Sequence, residues 1–109
     1  MKGYQVTFFT EQSHKHGHQP LHEWLLQLGK SLGIKGGTSM VCAEGYGRSG
    51  KLHLAHLFSL RDQPIEVTMA MTEEQVQALF ERLEQDEVDI FYVKSPVEYG
   101  TVGTASART

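Results

Sequence analysis

Apolar positions along this 109-residue chain fall into six stretches. Tyr4, Val6 and Phe8 alternate with Gln5, Thr7 and Phe9, the period-two pattern of a strand. Leu21, Trp24, Leu25, Leu28 and Leu32 recur at helical spacing, with Pro20 at the first helical position and Gly33 placed to stop the helix. Gly36 and Gly37 make a turn, and Thr38 to Ala43 reads as a second strand. Leu52, Leu54, His56, Phe58 and Leu60 share one face of an extended segment. Beyond it, Ile65, Val67, Met69 and Met71 alternate with Glu66, Thr68 and Ala70. Leu52 to Met71 is therefore expected to be one long strand, bent or bulged near Pro64, which cannot donate to a ladder. Thr72-Glu73-Glu74-Gln75 is a capping box, and Val76, Leu79, Phe80 and Leu83 mark the helix it opens. An acidic connector, Glu84 to Asp89, leads to a last strand from Val88 to Val93, which Ser95-Pro96-Val97-Glu98 leaves.

The order strand, helix, strand, strand, helix, strand predicts an α+β fold. It is the ferredoxin-like βαββαβ arrangement, a four-stranded antiparallel sheet with two helices on one face. The other face is then uncovered. Phe8 beside Phe9 and Phe91 beside Tyr92 put apolar side chains on both faces, which predicts self-association. Residues 1–99 read as one domain and residues 100–109 as a mobile tail.

Composition narrows the classes. Hydrophobic residues make up 39% and charged residues 21%, with a net charge of −3. These values fit a soluble globular domain and give no basic surface for nucleic acid. The one cysteine, Cys42, cannot form an internal disulfide and reads as a small buried hydrophobe. No signal peptide and no apolar run long enough to span a membrane is present, so the expected location is the cytoplasm, without membrane insertion.

One stretch stands out chemically: Ala43-Glu44-Gly45-Tyr46-Gly47-Arg48-Ser49-Gly50-Lys51. Its glycines allow a close backbone approach. Arg48 and Lys51 add positive charge beside backbone N–H groups, which suits an anion, and Ser49 is a further donor. The same residues also suit a hairpin tip that binds nothing. The spacing is not that of a P-loop.

With the element order, Glu44-Gly45-Tyr46-Gly47-Arg48 resembles the motif that opens the T-loop of PII signal-transduction proteins. Val93-Lys94-Ser95-Pro96-Val97-Glu98 is similar to the end of their last strand. The likeness runs from about Lys2 to Gly103 and is nearest to uncharacterised single-domain PII-like proteins. These share a stretch similar to Gly17, then Pro20-Leu21-His22-Glu23-Trp24. The resemblance implies a homotrimer that binds a small effector, often an adenine nucleotide, in clefts between subunits. It also implies a loop that docks on a protein target such as a transporter or metabolic enzyme. Its ligand-binding residues would be Gly45, Tyr46, Gly47, Arg48, Ser49 and Lys51. Two departures bear on the ligand. PII proteins carry a glycine-rich segment with a phosphate-holding lysine where this chain has Glu84 to Asp89. They also carry two tail arginines where it has Val102 and Thr104. Carboxylates repel a triphosphate, so AMP, ADP or cyclic AMP is expected rather than ATP.

Six histidines are present, four of them close together: His14, His16, His18 and His22. In an extended segment the first three share a side, and His18 meets His22 if the helix begins near Pro20. Imidazole is a common ligand of zinc, copper and nickel. A divalent-metal site is therefore the alternative function, and the related CutA architecture is linked to divalent metals. A solvated polar loop fits the same residues. No nucleophile–base pair is evident, so no enzymatic activity is expected.

Overall fold

The computed structural model describes residues 1–42 and 63–103, together with the backbone of 45–46 and 52–53. In chain order the elements are β1 (Lys2–Glu11), β2 (Lys15–His16), β3 (Gln19–Pro20) and α1 (Leu21–Ser31), then β4 (Gly37–Val41), β5 (Gly45–Tyr46) and β6 (Leu52–His53), and finally β7 (Pro64–Met71), α2 (Glu73–Gln85) and β8 (Phe91–Glu98). Four long strands form an antiparallel sheet in the order β4-β7-β1-β8. With α1 and α2, this is the expected ferredoxin-like fold.

The pleat sorts side chains by face. Val6 and Phe8 of β1 and Ile65, Val67, Met69 and Met71 of β7 are buried with Leu21, Leu25 and Leu28 of α1 and Val76, Leu79 and Leu83 of α2. The core thus lies between the helices and one face of the sheet. A fully buried Leu or Phe there contributes about 1.5–3 kcal/mol. Phe80 extends the core toward the β8 edge, with ring centroids 6.1 Å from Phe8 and 4.8 Å, edge-on, from Tyr92. Met69 fills the seam between α1 and the sheet. Gly29 on α1 and Gly37 on β4 both lie against it, and a Cβ at Gly29 would meet Met69 Sδ at 2.6 Å.

The opposite face carries the row Phe91, Phe9, Glu66 and Met40, set by strand register. Phe9 and Phe91 pack together at 5.6 Å but remain 38% and 52% exposed, and Met40 is 64% exposed. In the next row Thr7 and Thr68 pair through their hydroxyls at 3.1 Å. Among the described residues nothing covers this face, as the sequence pattern predicts.

Both helices end in the same device. After α1, Gly33 has φ 81°, its N–H bonds to Lys30 O, and the N–H of Ile34 reaches back to Gly29 O. After α2, Glu87 has φ 56°, its N–H bonds to Glu84 O, and the N–H of Val88 reaches Leu83 O. These are Schellman motifs, which normally place glycine at the left-handed residue. The start of α2 is the predicted capping box, with Gln75 N–H bonded to Thr72 Oγ1 at 3.1 Å and Thr72 N–H to Gln75 Oε1 at 3.0 Å.

Several expectations shift. Pro20 is the N-cap of α1, not its first residue. The second strand ends at Val41. Of the long strand expected from Leu52 to Met71, residues 54–62 lie outside the described residues; Leu52–His53 pairs with Gly45–Tyr46 in a separate ribbon, and Pro64 begins β7. Proline is well suited to a strand's first position. The last strand begins at Phe91, three residues later than expected, because Val88 is used in closing α2. It runs on through Pro96, which an edge strand tolerates. The ladder extends one residue further, Tyr99 N–H bonding Met1 O at 2.8 Å. Among the described residues no helix is long and apolar enough to cross a membrane.

Candidate functional site

The glycine loop begins where β4 ends. Cys42 N–H bonds Pro64 O at 2.8 Å, holding the exit of β4 to the start of β7. The chain then forms the two-rung ribbon of β5 and β6, in which Gly45 pairs with His53 and Tyr46 with Leu52. Gly45 and Tyr46 thus lie in this ribbon. Gly47, Arg48, Ser49 and Lys51, the other predicted ligand residues, lie outside the described residues.

Cys42 is half-buried instead of buried. Its Sγ donates toward Glu66 Oε2 at 3.6 Å. Burial and the Glu66 charge raise the thiol above its ordinary range. Both effects disfavour a thiolate, so this cysteine is a poor nucleophile.

The four clustered histidines take four different environments. His14 Nδ1 lies 3.1 Å from Thr10 Oγ1. His16 stacks on Trp24 of α1, ring centroids 3.9 Å apart and planes 18° from parallel. His16 Nε2 also donates to Asp86 Oδ2 at 2.9 Å, across 70 residues of sequence. His18 is exposed in the two-residue loop between β2 and β3, next to Gly17 at φ 66°. His22 is 9% exposed, and its buried Nδ1 has no hydrogen-bond partner among the described residues. His18 lies in the β2–β3 loop outside α1, so the helical spacing to His22 does not apply. Among the described residues no group of three or more His, Cys, Asp or Glu side chains is placed to hold a metal ion. The alternation that suggested a common face is broken by the turn at Gly17.

What the histidine stretch builds is a clasp. Arg82 Nε donates to Asp86 Oδ1 at 3.0 Å, and its guanidinium carbon lies 5.8 Å from the Trp24 ring. Asp86 at the C-cap of α2 therefore receives both Arg82 and His16. The Arg82 guanidinium, and after it the His16 imidazole, hold its carboxyl below the usual range. Sequence reasoning missed Asp86 in this role, because no local spacing links residues 16 and 86.

A separate shallow cleft of about 430 Å³ lies between the start of α2 and the ends of β1 and β8. Lys2, Tyr4, Glu73, Pro96 and Glu98 line it, and Lys94 Nζ sits 4.7 Å over the Tyr4 ring.

Comparison with known proteins places this geometry. The profile of the family DUF190, described as Uncharacterized ACR, matches residues 3–98, from the second residue of β1 to the last of β8. The chain belongs to the DUF190 family. A UPF0166 protein of Aquifex aeolicus (strain VF5) is 27% identical over 79 residues, covering 72% of this chain and 75% of that one. Among solved structures, CPII of Thiomonas intermedia K12 is a nitrogen regulatory PII-like protein bound to ADP, AMP and bicarbonate. It matches with a TM-score of 0.67 at 23% identity, over 93% of this chain and 91% of CPII. The divalent ion tolerance protein CutA1 of Ehrlichia chaffeensis matches with a TM-score of 0.52 at 9% identity, over 96% and 89% of the two chains. This DUF190 chain therefore has a PII-like, ferredoxin-like fold.

Proposed function

We propose that this chain is a PII-like regulatory protein. In this reading it forms a homotrimer through the open face of its sheet and binds an adenine nucleotide in the clefts between subunits. It signals to a protein target, a transporter or metabolic enzyme, through the loop that includes Gly45 to Lys51. Nothing in the reading requires catalysis, and it places the protein in the cytoplasm. The observation that carries it is the likeness over 93% of the chain to CPII, whose structure holds ADP, AMP and bicarbonate. The uncovered face with Phe9, Phe91 and Met40 supports assembly, since monomers rarely leave large apolar patches open.

The resemblance to PII proteins sets the connector after α2 toward the phosphates. Here the last turn of α2 carries Glu84 and the connector carries Asp86, Glu87 and Asp89, and the Asp86 carboxyl is held below its usual range by Arg82 and His16. Repulsion grows with the ligand's charge, so AMP, ADP or cyclic AMP is favoured over ATP. The metal-response alternative, built on His14, His16, His18 and His22, has the CutA1 likeness behind it but no ligand geometry among the described residues.

The test is isothermal titration of metal-free protein with AMP, ADP, ATP and cyclic AMP, with and without bicarbonate. Micromolar binding near one ligand per subunit, weakened at least tenfold by Arg48→Ala, is expected (about 1.4 kcal/mol). Absence of heat with all four nucleotides would remove nucleotide sensing. The titration would then be repeated with zinc, copper and nickel.

A further inference from the structure

The β2–β3 hairpin is joined to the fold in an unusual way. From Glu11 to Pro20 no residue belongs to the buried core, and among them Lys15, Gly17 and His18 are exposed. A segment that buries no apolar side chain has little to hold it beyond polar and aromatic contacts. Beside the Gln12 N–H to Gln63 O bond at 2.9 Å and the Thr10 Oγ1 to His14 Nδ1 contact at 3.1 Å, the described side-chain contacts to the helices converge on His16. Its ring lies flat on Trp24 of α1, and its Nε2 reaches the Asp86 carboxylate at the end of α2. Arg82 secures the same carboxylate from the α2 side and lies near the same indole. At the base, Leu21 N–H bonds His14 O at 2.8 Å and His14 N–H bonds Glu11 O at 3.1 Å.

Behind this hairpin, α1 begins with a defect. His22, in the first turn, is buried with Nδ1 unpaired among the described residues. A buried polar atom without a partner favours any opening that lets water reach it. The clasp is therefore set against a local drive to open.

We propose that the β2–β3 hairpin is a strap latched by His16, which opens as a unit while the four-stranded sheet stays folded. His16 is the latch because it is the described hairpin side chain that meets both Trp24 of α1 and Asp86 at the end of α2. Opening separates His14 from Leu21 and admits water at the start of α1. The latch shares Asp86 with the nucleotide reading but uses none of the residues from Gly45 to Lys51, and its exchange readout needs no nucleotide.

Native-state amide hydrogen exchange, followed by NMR on the full chain, tests this. In the unaltered protein, the Leu21 and His14 amides are expected to exchange faster than the amides of Val6, Phe8 and Val67. His16→Ala should speed exchange at Leu21 and His14 about tenfold and leave the β1 and β7 amides unchanged. Tenfold corresponds to losing one hydrogen bond to a charged group. Asp86→Asn, which keeps the ring stack, should give a smaller increase at the same amides and serves if His16→Ala does not fold. Exchange of Leu21 and His14 at the rate of the β1 amides would overturn the proposal, as would a uniform rise across all amides or no change at Leu21.

Discussion

Glu87 is the described non-glycine residue with positive φ, at 56°, and replacing it with glycine should stabilise the fold. The residue occupies the left-handed position of the Schellman motif that closes α2, where a Cβ crowds the following carbonyl at a cost of about 1–2 kcal/mol. Its side chain is exposed, so little packing is lost on removing it. Glycine frees more unfolded-chain entropy, which takes back about 0.4–1 kcal/mol. Removing an anion from the negative end of a helix returns about 0.3 kcal/mol. The net gain is about 1 kcal/mol, or about 4–6 °C in Tm for a domain of this size. Urea unfolding at one fixed protein concentration measures it, with the m value unchanged. Glu87→Gln separates the contributions and should recover only the small electrostatic part. Gly33→Ala is the mirror experiment. At φ 81°, with the new Cβ no closer than 3.7 Å to its neighbour Gln75 Nε2, it should cost about 1 kcal/mol through backbone conformation alone. A Glu87→Gly protein no more stable than the original would refute the strain reasoning.

Two further outcomes follow from charge. Asp86 titrates lower in the fold than in the unfolded chain. Its pairing therefore stabilises at neutral pH and down to about pH 4, and is lost as pH falls further through the folded value. The stability gap between the original protein and Asp86→Asn, read from urea midpoints at pH 7, 4.5 and 3, should hold to pH 4.5 and shrink at pH 3; a gap that widens at pH 3 contradicts this. Cys42, with its thiol raised by burial and by Glu66, should alkylate with iodoacetamide at pH 7.5 several-fold more slowly than free cysteine. Glu66→Gln should speed the reaction, and an unchanged rate would show that Glu66 does not control it.

The order of elements was legible because the local signals agreed with one another. The Thr72 to Gln75 box, the Leu21 to Leu32 stripe and the Ile65 to Met71 alternation each specify an element and the face it buries. Boundaries failed where one residue served two purposes. Val88 reads as strand by composition but closes the Schellman motif, so β8 begins at Phe91. Pro64 reads as an interruption because its effect depends on whether a strand is beginning or continuing. At the candidate site, Gly45 and Tyr46 pair with His53 and Leu52, and the other motif residues lie outside the described residues. The histidines were misleading because alternation implies a shared face only in a straight segment, and Gly17 turns the chain. Asp86 was out of reach: its partnership with His16 is made by tertiary folding.

The seam formed by Gly29, Gly37 and Met69 constrains how this domain can change over generations. Two elements give up their side chains so that a third can supply a long, pliable one. The three positions share a single allotment of volume. A methyl group added at 29 demands a shorter residue at 69, and a shorter residue at 69 leaves a void unless 29 or 37 grows. Substitution here is permissible in combination and penalised singly, so sequences of this fold should diverge at the three positions together.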